Sequence, residues 1–480
     1  MAEHQTKLKR VLGFPASYGA AVGLVVSGTA MFSVGNVGAI SGNATCIAAL
    51  IALVPMMATA FAFGELTAMI PGGGMISEYT VPALGKFWGT FALLSGYVVL
   101  IACDGGTQLV MGGLSFERML GVPQALISII LLVLILLVNI FGVEFYGRAE
   151  ASITLIMMAI YVILAICGTA GLGQHLGWSA HPIASQAAFL PKGGWPTVFN
   201  SVGTAIWFFI GFEFACPMAE ENIKPYKNIP YGLILGLISI YIVDIIFVFG
   251  AVKFTPMSVM ATSAVPHVDA ATATMGPVGG IVMGIVTICA SFTTGNAYIA
   301  AMPRMLYGMA KEGLVPQIFG KLHPRRKVPT AGIIFTTGLI LIIMIYVTAN
   351  GGSSDVILKL INVACITWLG AYIIAMIDVL VMRRKYPDYP RLWKAPAAWI
   401  TLPIGIIGAI YAIYTLHDVL WMACIIWAAV AAYAVIWNKT HGIPINERTH
   451  LKVLVKGVKD RSEPLPVWDE AVEEWLAGQD

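Results

Sequence analysis

The chain has 480 residues, of which 58% are hydrophobic and only 11% charged, with a mean hydropathy of +0.82. Soluble globular proteins carry about 25% charged residues, so the composition excludes soluble, disordered, collagen-like, disulfide-stapled and nucleic-acid-binding classes. A formal net charge of +3 is too small to argue for an anionic partner, and the surroundings to expect are a lipid bilayer.

A bilayer core about 30 Å thick needs about 20 apolar residues in a helix. Twelve runs meet that requirement, at 12–40, 44–70, 86–113, 123–142, 150–173, 196–221, 229–253, 276–310, 328–349, 355–382, 396–415 and 417–437. The first follows a polar start and runs well past the length of a signal-peptide core, so no cleavable leader is expected. An even number of spans puts both termini on one side. With both in the cytoplasm, all but four of the 28 basic residues fall on the inner side, the exceptions being Arg118, Lys192, Lys253 and Lys359, as the positive-inside rule requires. Inner clusters include Lys7, Lys9 and Arg10, then Arg325, Arg326 and Lys327, then Arg383, Arg384 and Lys385. The expected protein is all-α and multi-pass, in the cell membrane. The seven cysteines lie in apolar stretches without a CxxC pair and read as small core residues.

Two spans are interrupted at matching places, five spans apart. Span 1 carries Ser27-Gly28-Thr29-Ala30, and span 6 carries Trp207-Phe208-Phe209-Ile210-Gly211-Phe212-Glu213 with Pro217 following. Glycine permits and proline forces a loss of helical winding. Unwound backbone in lipid is tolerated only where protein buries it or it lines a cavity, and paired broken helices point to a transporter's binding site. Glycines that merely pack helices together would leave Glu213 unexplained, because a carboxylate inside an apolar helix needs a partner or an aqueous cavity. Asp104, in span 3, raises the same question. It stands sixteen residues beyond Trp88, about 24 Å along a helix, and reads either as a counter-ion for a substrate ammonium or as a hydrogen-bonded structural aspartate. Trp207, Phe208 and Phe212 flank Glu213 and offer faces for cation–π attraction. In span 8, Ser291, Thr293 and Thr294 supply hydroxyls of the kind that hold sodium or bond between helices. Asp244 and Asp378 are also embedded, without a role to assign. After Trp437 a charged tail of about forty residues begins; Pro464 and Pro466 interrupt it, and Asp469 to Trp475 fits a short acidic helix.

Several stretches together resemble the amino acid–polyamine–organocation transporter superfamily over residues 10–440. They are Phe209-Ile210-Gly211-Phe212-Glu213 with Ala219-Glu220-Glu221-Asn222-Ile223-Lys224-Pro225; Glu65-Leu66 with Pro71-Gly72-Gly73-Gly74 and Tyr79; Arg304 with Met309-Ala310-Lys311-Glu312-Gly313-Leu314; and Arg383-Arg384-Lys385-Tyr386-Pro387 with Pro390-Arg391. The resemblance implies an all-α integral membrane fold of twelve transmembrane helices. Five-helix repeats at 12–173 and 196–382 would be inverted relative to each other, helices 1 and 6 discontinuous, and two peripheral helices would lie at 396–437. Residues 1–11 and 438–480 would be cytosolic. It also implies alternating-access transport of a small amine-bearing solute. Family members usually carry glycine at both ends of the break in span 1, where backbone meets a substrate carboxylate; here Ala30 stands at the last of these positions.

No phosphate loop, hydrolase elbow, HExxH helix or Cys/His cluster is found, which argues against an enzyme or an ATP-driven pump. The expectation is therefore a secondary active transporter importing an amino acid or related small amine, with no bound cofactor. Ser27, Gly28, Thr29, Ala30, Asp104, Trp207, Phe208, Gly211, Phe212 and Glu213 would form its site. Glu213 and Asp104 would couple transport to protons; sodium at Ser291 and Thr294 is the alternative. An obligate amine or polyamine exchanger is the neighbouring reading.

Overall fold

The computed structural model describes residues 10, 12–141, 143–324, 326, 328–461 and 466–479; Lys7, Lys9, Arg325, Lys327 and Pro464 lie outside the described residues. Helices follow one another with no β-strand among those residues. In order they are α1 (Phe14–Gly23), α2 (Gly28–Ser41), α3 (Thr45–Met69), α4 (Ile76–Ala83), α5 (Lys86–Ala92), α6 (Val99–Leu120), α7 (Gln124–Phe141), α8 (Val143–Thr169), α9 (Leu172–His175), α10 (Gly194–Asn200) and α11 (Val202–Ile206). There follow α12 (Pro225–Phe254), α13 (Met257–Thr262), α14 (Pro266–Lys311), α15 (Thr330–Ala349), α16 (Ser354–Lys385), α17 (Ala398–Thr415), α18 (His417–Thr440), α19 (Leu451–Arg461) and α20 (Pro466–Ala477). A wide π-turn, Leu93–Val98, joins α5 to α6, and a 3₁₀ segment, Phe212–Glu221, follows α11.

Nine helical stretches among the described residues are long and apolar enough to cross a membrane, which makes this a multi-pass membrane protein. Burial separates the inner helices from the outer ones. The most apolar window of Ser354–Lys385 is 72% buried in protein, whereas those of Ala398–Thr415 and His417–Thr440 are 28% and 17% buried, so α17 and α18 lie at the rim. They expose Ile400, Ile407, Trp421 and Ile425, a belt suited to acyl chains rather than water. Cys103, Cys216 and Cys365 are core residues as expected, but Cys424 on α18 is exposed, because a rim helix turns most of its apolar residues outward.

The buried carboxyl groups are met by donors. Asp244 accepts from the Tyr161 hydroxyl at 2.9 Å, joining α12 to α8, and Asp378 accepts from Thr80 at 2.6 Å, joining α16 to α4. Glu65, fully buried on α3, receives Arg383 Nε and Nη2 at 2.9 and 2.6 Å and the Ala395 N–H at 2.8 Å, with Arg391 Nε at 3.2 Å. Residues more than 300 positions further along the chain thus close on this one carboxylate. Arg391 in turn donates to the Met382 and Tyr386 carbonyls at the end of α16, where helical partners run out.

The tail is folded against the body. Glu447 pairs with Lys86 at 2.8 Å. Leu451, Val455 and Val458 of α19 and Val472 of α20 are buried, and Lys459 pairs with Glu473 across the two helices. The expected acidic helix at Asp469 to Trp475 lies within α20. Its Trp468 donates the indole N–H to the Ala68 carbonyl at 3.2 Å, and Trp475 packs edge-on against Tyr389 at 4.9 Å. Tyr389 donates to the Met69 carbonyl at 2.6 Å, so the last carbonyls of α3 are capped by side chains from two distant segments.

Two outcomes follow. Glu65→Ala leaves two guanidinium groups facing an apolar helix and costs about 3–5 kcal/mol, read as a lowered thermal-unfolding midpoint in detergent. Trp468→Ala costs about 3–5 kcal/mol, whereas Trp468→Phe, which keeps a ring and loses the N–H donor, costs about 0.5–1.5 kcal/mol from the hydrogen bond; equal losses would show that the packing of the ring adds nothing to the indole hydrogen bond.

Candidate functional site

Two helices end early, side by side. α1 stops at Gly23 and α2 begins at Gly28, with Leu24 to Ser27 between them. Ser27 is extended (φ −115°, ψ 158°) and its hydroxyl accepts the Ala30 N–H at 3.1 Å, an N-cap. The expectation that Gly28, Thr29 and Ala30 are themselves unwound is corrected: they form the first turn of α2, because the Ser27 cap starts the helix there. On the other side α11 stops at Ile206, and turns through Trp207 to Gly211 lead into the 3₁₀ segment. Gly211 has φ +108°, and a Cβ on it would come within 2.5 Å of Leu24 Cδ2. Only glycine suits both the backbone angle and this approach. The two breaks touch.

The helical pieces on either side of the breaks are paired. Leu12 and Asn222 form a parallel bridge, with Leu12 N–H to the Glu221 carbonyl at 3.0 Å and Ile223 N–H to the Leu12 carbonyl at 2.9 Å. Asn222 Nδ2 donates to Ser17 at 2.6 Å. α1 and the 3₁₀ segment are therefore tied together. Beyond the breaks, Ser33 of α2 donates to the Thr204 carbonyl of α11 at 2.9 Å, and Ser41 bonds Ser201 at 2.8 Å. The 3₁₀ segment also reaches outward, for Glu220 accepts the Gly73 N–H at 3.1 Å.

α6 supplies one wall. Asp104 Oδ1 accepts from the Thr29 hydroxyl at 2.6 Å and Oδ2 from Tyr298 of α14 at 2.6 Å, which brings the candidate residues Thr29 and Asp104 together with Tyr298. One helical turn on, Gln108 Oε1 accepts the Thr29 N–H at 3.0 Å. Neither Tyr298 nor Gln108 carries a sequence signal that sets it apart from ordinary span residues.

Glu213 stands in the opposite wall, fully buried. Its Oε2 accepts from Tyr372 of α16 at 2.5 Å, and Tyr97 and Trp368 lie beside it. Glu213 Oε1, the Tyr97 hydroxyl and the Trp368 indole N–H have no hydrogen-bond partner among the described residues. Phe214 joins the two walls, its ring 5.7 Å from Tyr298, 5.9 Å from Tyr97 and 6.1 Å from Trp368. Phe212 packs 5.9 Å from Tyr372. Trp207 and Phe208 are buried in the turns before Gly211, where Phe208 faces Phe209. Of the three expected aromatics, then, Phe212 reaches the ring cluster around Glu213, and Phe214 belongs with it. The packed rings with a carboxyl at each end make surroundings that would favour a cation through charge and through the ring faces.

Ser291 and Thr294 are buried, and neither hydroxyl has a hydrogen-bond partner among the described residues. Ser291 packs against α6, its Oγ 2.9 Å from where a Cβ on Gly112 would stand, and the α14 residue that meets Gly28 is Thr287, a turn earlier.

Residues 12–438 match the model of a family described as amino acid permease. The chain is 23% identical to the branched-chain amino acid permease BcaP of Bacillus subtilis over 457 residues, covering 89% of this chain and 92% of that one. It is 25% identical to the methylthioribose transporter of the same organism over 418 residues, 83% of each. Among solved structures, the Eremococcus coleocola manganese transporter shares the fold, with a TM-score of 0.56 over 96% of this chain and 99% of that chain at 11% identity. The chain belongs to the amino acid permease family, within the amino acid–polyamine–organocation superfamily, and is a transporter rather than an enzyme.

Proposed function

We propose that the protein imports an amino acid, or a closely related small amine, across the cell membrane by alternating access coupled to protons. The observation that carries this reading is the contact between the breaks at Leu24 and Gly211, with Asp104 on one side and Glu213 on the other. Both termini are cytoplasmic in this proposal. Twelve spans are arranged as two inverted five-helix repeats, 12–173 and 196–382, with 396–437 outside them. α1 and the 3₁₀ segment, tied through Leu12 and Asn222, swing as one body about the two breaks, while α2 and α11 hold the opposite half.

Ser27, Gly28, Thr29 and Ala30 line the site at the head of α2. Asp104 draws the substrate ammonium, and Gly211, Phe212 and Phe214 form the facing wall. Glu213 takes up a proton from one side and releases it to the other, and the Tyr372 hydroxyl follows its state. A sodium-coupled version would use Ser291 and Thr294.

Three measurements test this. In proteoliposomes, an inward proton gradient drives accumulation of a bound amino acid without sodium and without internal substrate; uptake that ignores pH and follows sodium overturns the proton assignment, and a strict need for internal substrate makes the protein an exchanger. Glu213→Gln abolishes proton-driven accumulation while keeping counterflow between equal pools, since the glutamine holds the same space without titrating. Asp104→Asn weakens binding about tenfold or more, because hydrogen bonds to charged groups contribute about 1.5–3 kcal/mol; unchanged affinity in a thermal-shift titration removes Asp104 from the site.

A further inference from the structure

Two of the free donors at the head of α2 are already taken. The Thr29 N–H goes to Gln108 Oε1 and the Ala30 N–H to the Ser27 hydroxyl. These are donors that a helix N-terminus would otherwise turn toward an anion. A substrate carboxylate arriving here would have to compete with the protein's own caps.

Gln108 offers a replacement. The residue is fully buried on α6. The Thr29 N–H needs an acceptor, so the amide oxygen faces Thr29 and the NH₂ group is the other end. That Nε2 has no hydrogen-bond partner among the described residues. It lies 3.5 Å from the position a Cβ on Gly28 would take, which puts it beside the first residue of α2. A buried amide donor left without a partner is costly. Meanwhile Asp104 stands four residues earlier on the same helix, where side chains share a face with Cβ atoms about 5–6 Å apart. α6 thus presents an acceptor and a free donor one turn apart, both tied to Thr29. An α-amino acid carries its ammonium and carboxylate on one carbon, a spacing that suits such a pair.

The geometry points to Gln108 as the carboxylate-binding residue of the transporter, its Nε2 donating to the substrate carboxylate while Asp104 meets the ammonium. This rests on the transport site described under Proposed function. Gln108 and Asp104 together select the zwitterionic head, and selection among side chains falls to the packed rings.

The test compares an amino acid with its primary amide, in which the carboxylate is neutralised, on full-length purified protein by thermal-shift titration after a screen of the twenty common amino acids. The wild type is expected to bind the acid at least tenfold more tightly than the amide. Gln108→Glu keeps an oxygen for the Thr29 N–H and, once ionised, replaces the NH₂ donor with a second oxygen. Because burial beside Asp104 favours the protonated form, which still donates, the titration is run at a pH high enough to ionise it. The variant is expected to lose at least tenfold in affinity for the acid and less than threefold for the amide, with the ligand-free unfolding midpoint within a few degrees of wild type. Wild-type affinity for the acid in Gln108→Glu, or equal losses for acid and amide, overturns the assignment. If the variant does not fold, the wild-type preference decides alone: equal binding of acid and amide removes Gln108's role and leaves the transport reading standing. Binding of no amino acid and no amine by the wild type overturns that reading and this one with it.

Discussion

An unpaired backbone group cannot be left in hydrocarbon, and the centre of this protein is arranged around that constraint. Two helices give up their winding near the middle of the bundle, and each break is buried by the other: Gly211, at φ +108°, closes on Leu24 with no room for a side chain. Two of the donors released at the start of α2, the Ala30 and Thr29 N–H groups, are taken by Ser27 and Gln108. The broken segments therefore need each other and need α6, which explains why the polar residues of the molecule collect where the lipid is furthest away.

The same constraint orders the charges. Asp104, Glu213, Asp244 and Asp378 each meet at least one hydroxyl from a different helix, while Glu65 meets two arginines. The difference tracks position. Arg383 and Arg391 come from the end of α16 and the loop after it, where a guanidinium reaches water along part of its length; the hydroxyl-bonded carboxyls sit along helices, where a neutral partner avoids burying a second charge. A hydroxyl can donate to a carboxylate or accept from a carboxylic acid, so such pairs tolerate a change of proton count that a double-arginine clamp would resist. Under the proposed transport cycle, Glu65 suits a fixed joint and the hydroxyl-bonded Glu213 suits a part that changes its contacts.

What could be read from the sequence followed the same division. The broken spans were visible because Gly211, Glu213 and Pro217 violate an apolar helix, and Asp104 was visible for the same reason. The exact start of α2 was not, since Ser27 as a cap and Gly28 as a hinge look alike until the hydroxyl is placed on the Ala30 N–H. Tyr298, Phe214, Tyr97 and Tyr372 were hidden because aromatic residues are ordinary in membrane spans, and only three-dimensional packing gathers them around the carboxyls. The clamp on Glu65 was half visible: Glu65 stood in one recognisable stretch and Arg383 and Arg391 in another, but nothing in their spacing announced that they meet.

The tail shows how far local composition falls short. A charged segment after the last span reads as solvated, yet α19 and α20 bury Leu451, Val455, Val458, Trp468 and Val472 and cap the end of α3 through Trp468. The loop following α3 carries Gly73, whose N–H holds Glu220 of the 3₁₀ segment, and Val458 of α19 stands 3.3 Å from the Cβ position of its neighbour Gly72. A chain of direct contacts thus runs from the tail to the loop and on to the second broken helix. Under the proposed alternating access, any motion of that helix away from Gly73 breaks the contact at Glu220, so the loop that the tail supports would set one resting position of the half that moves.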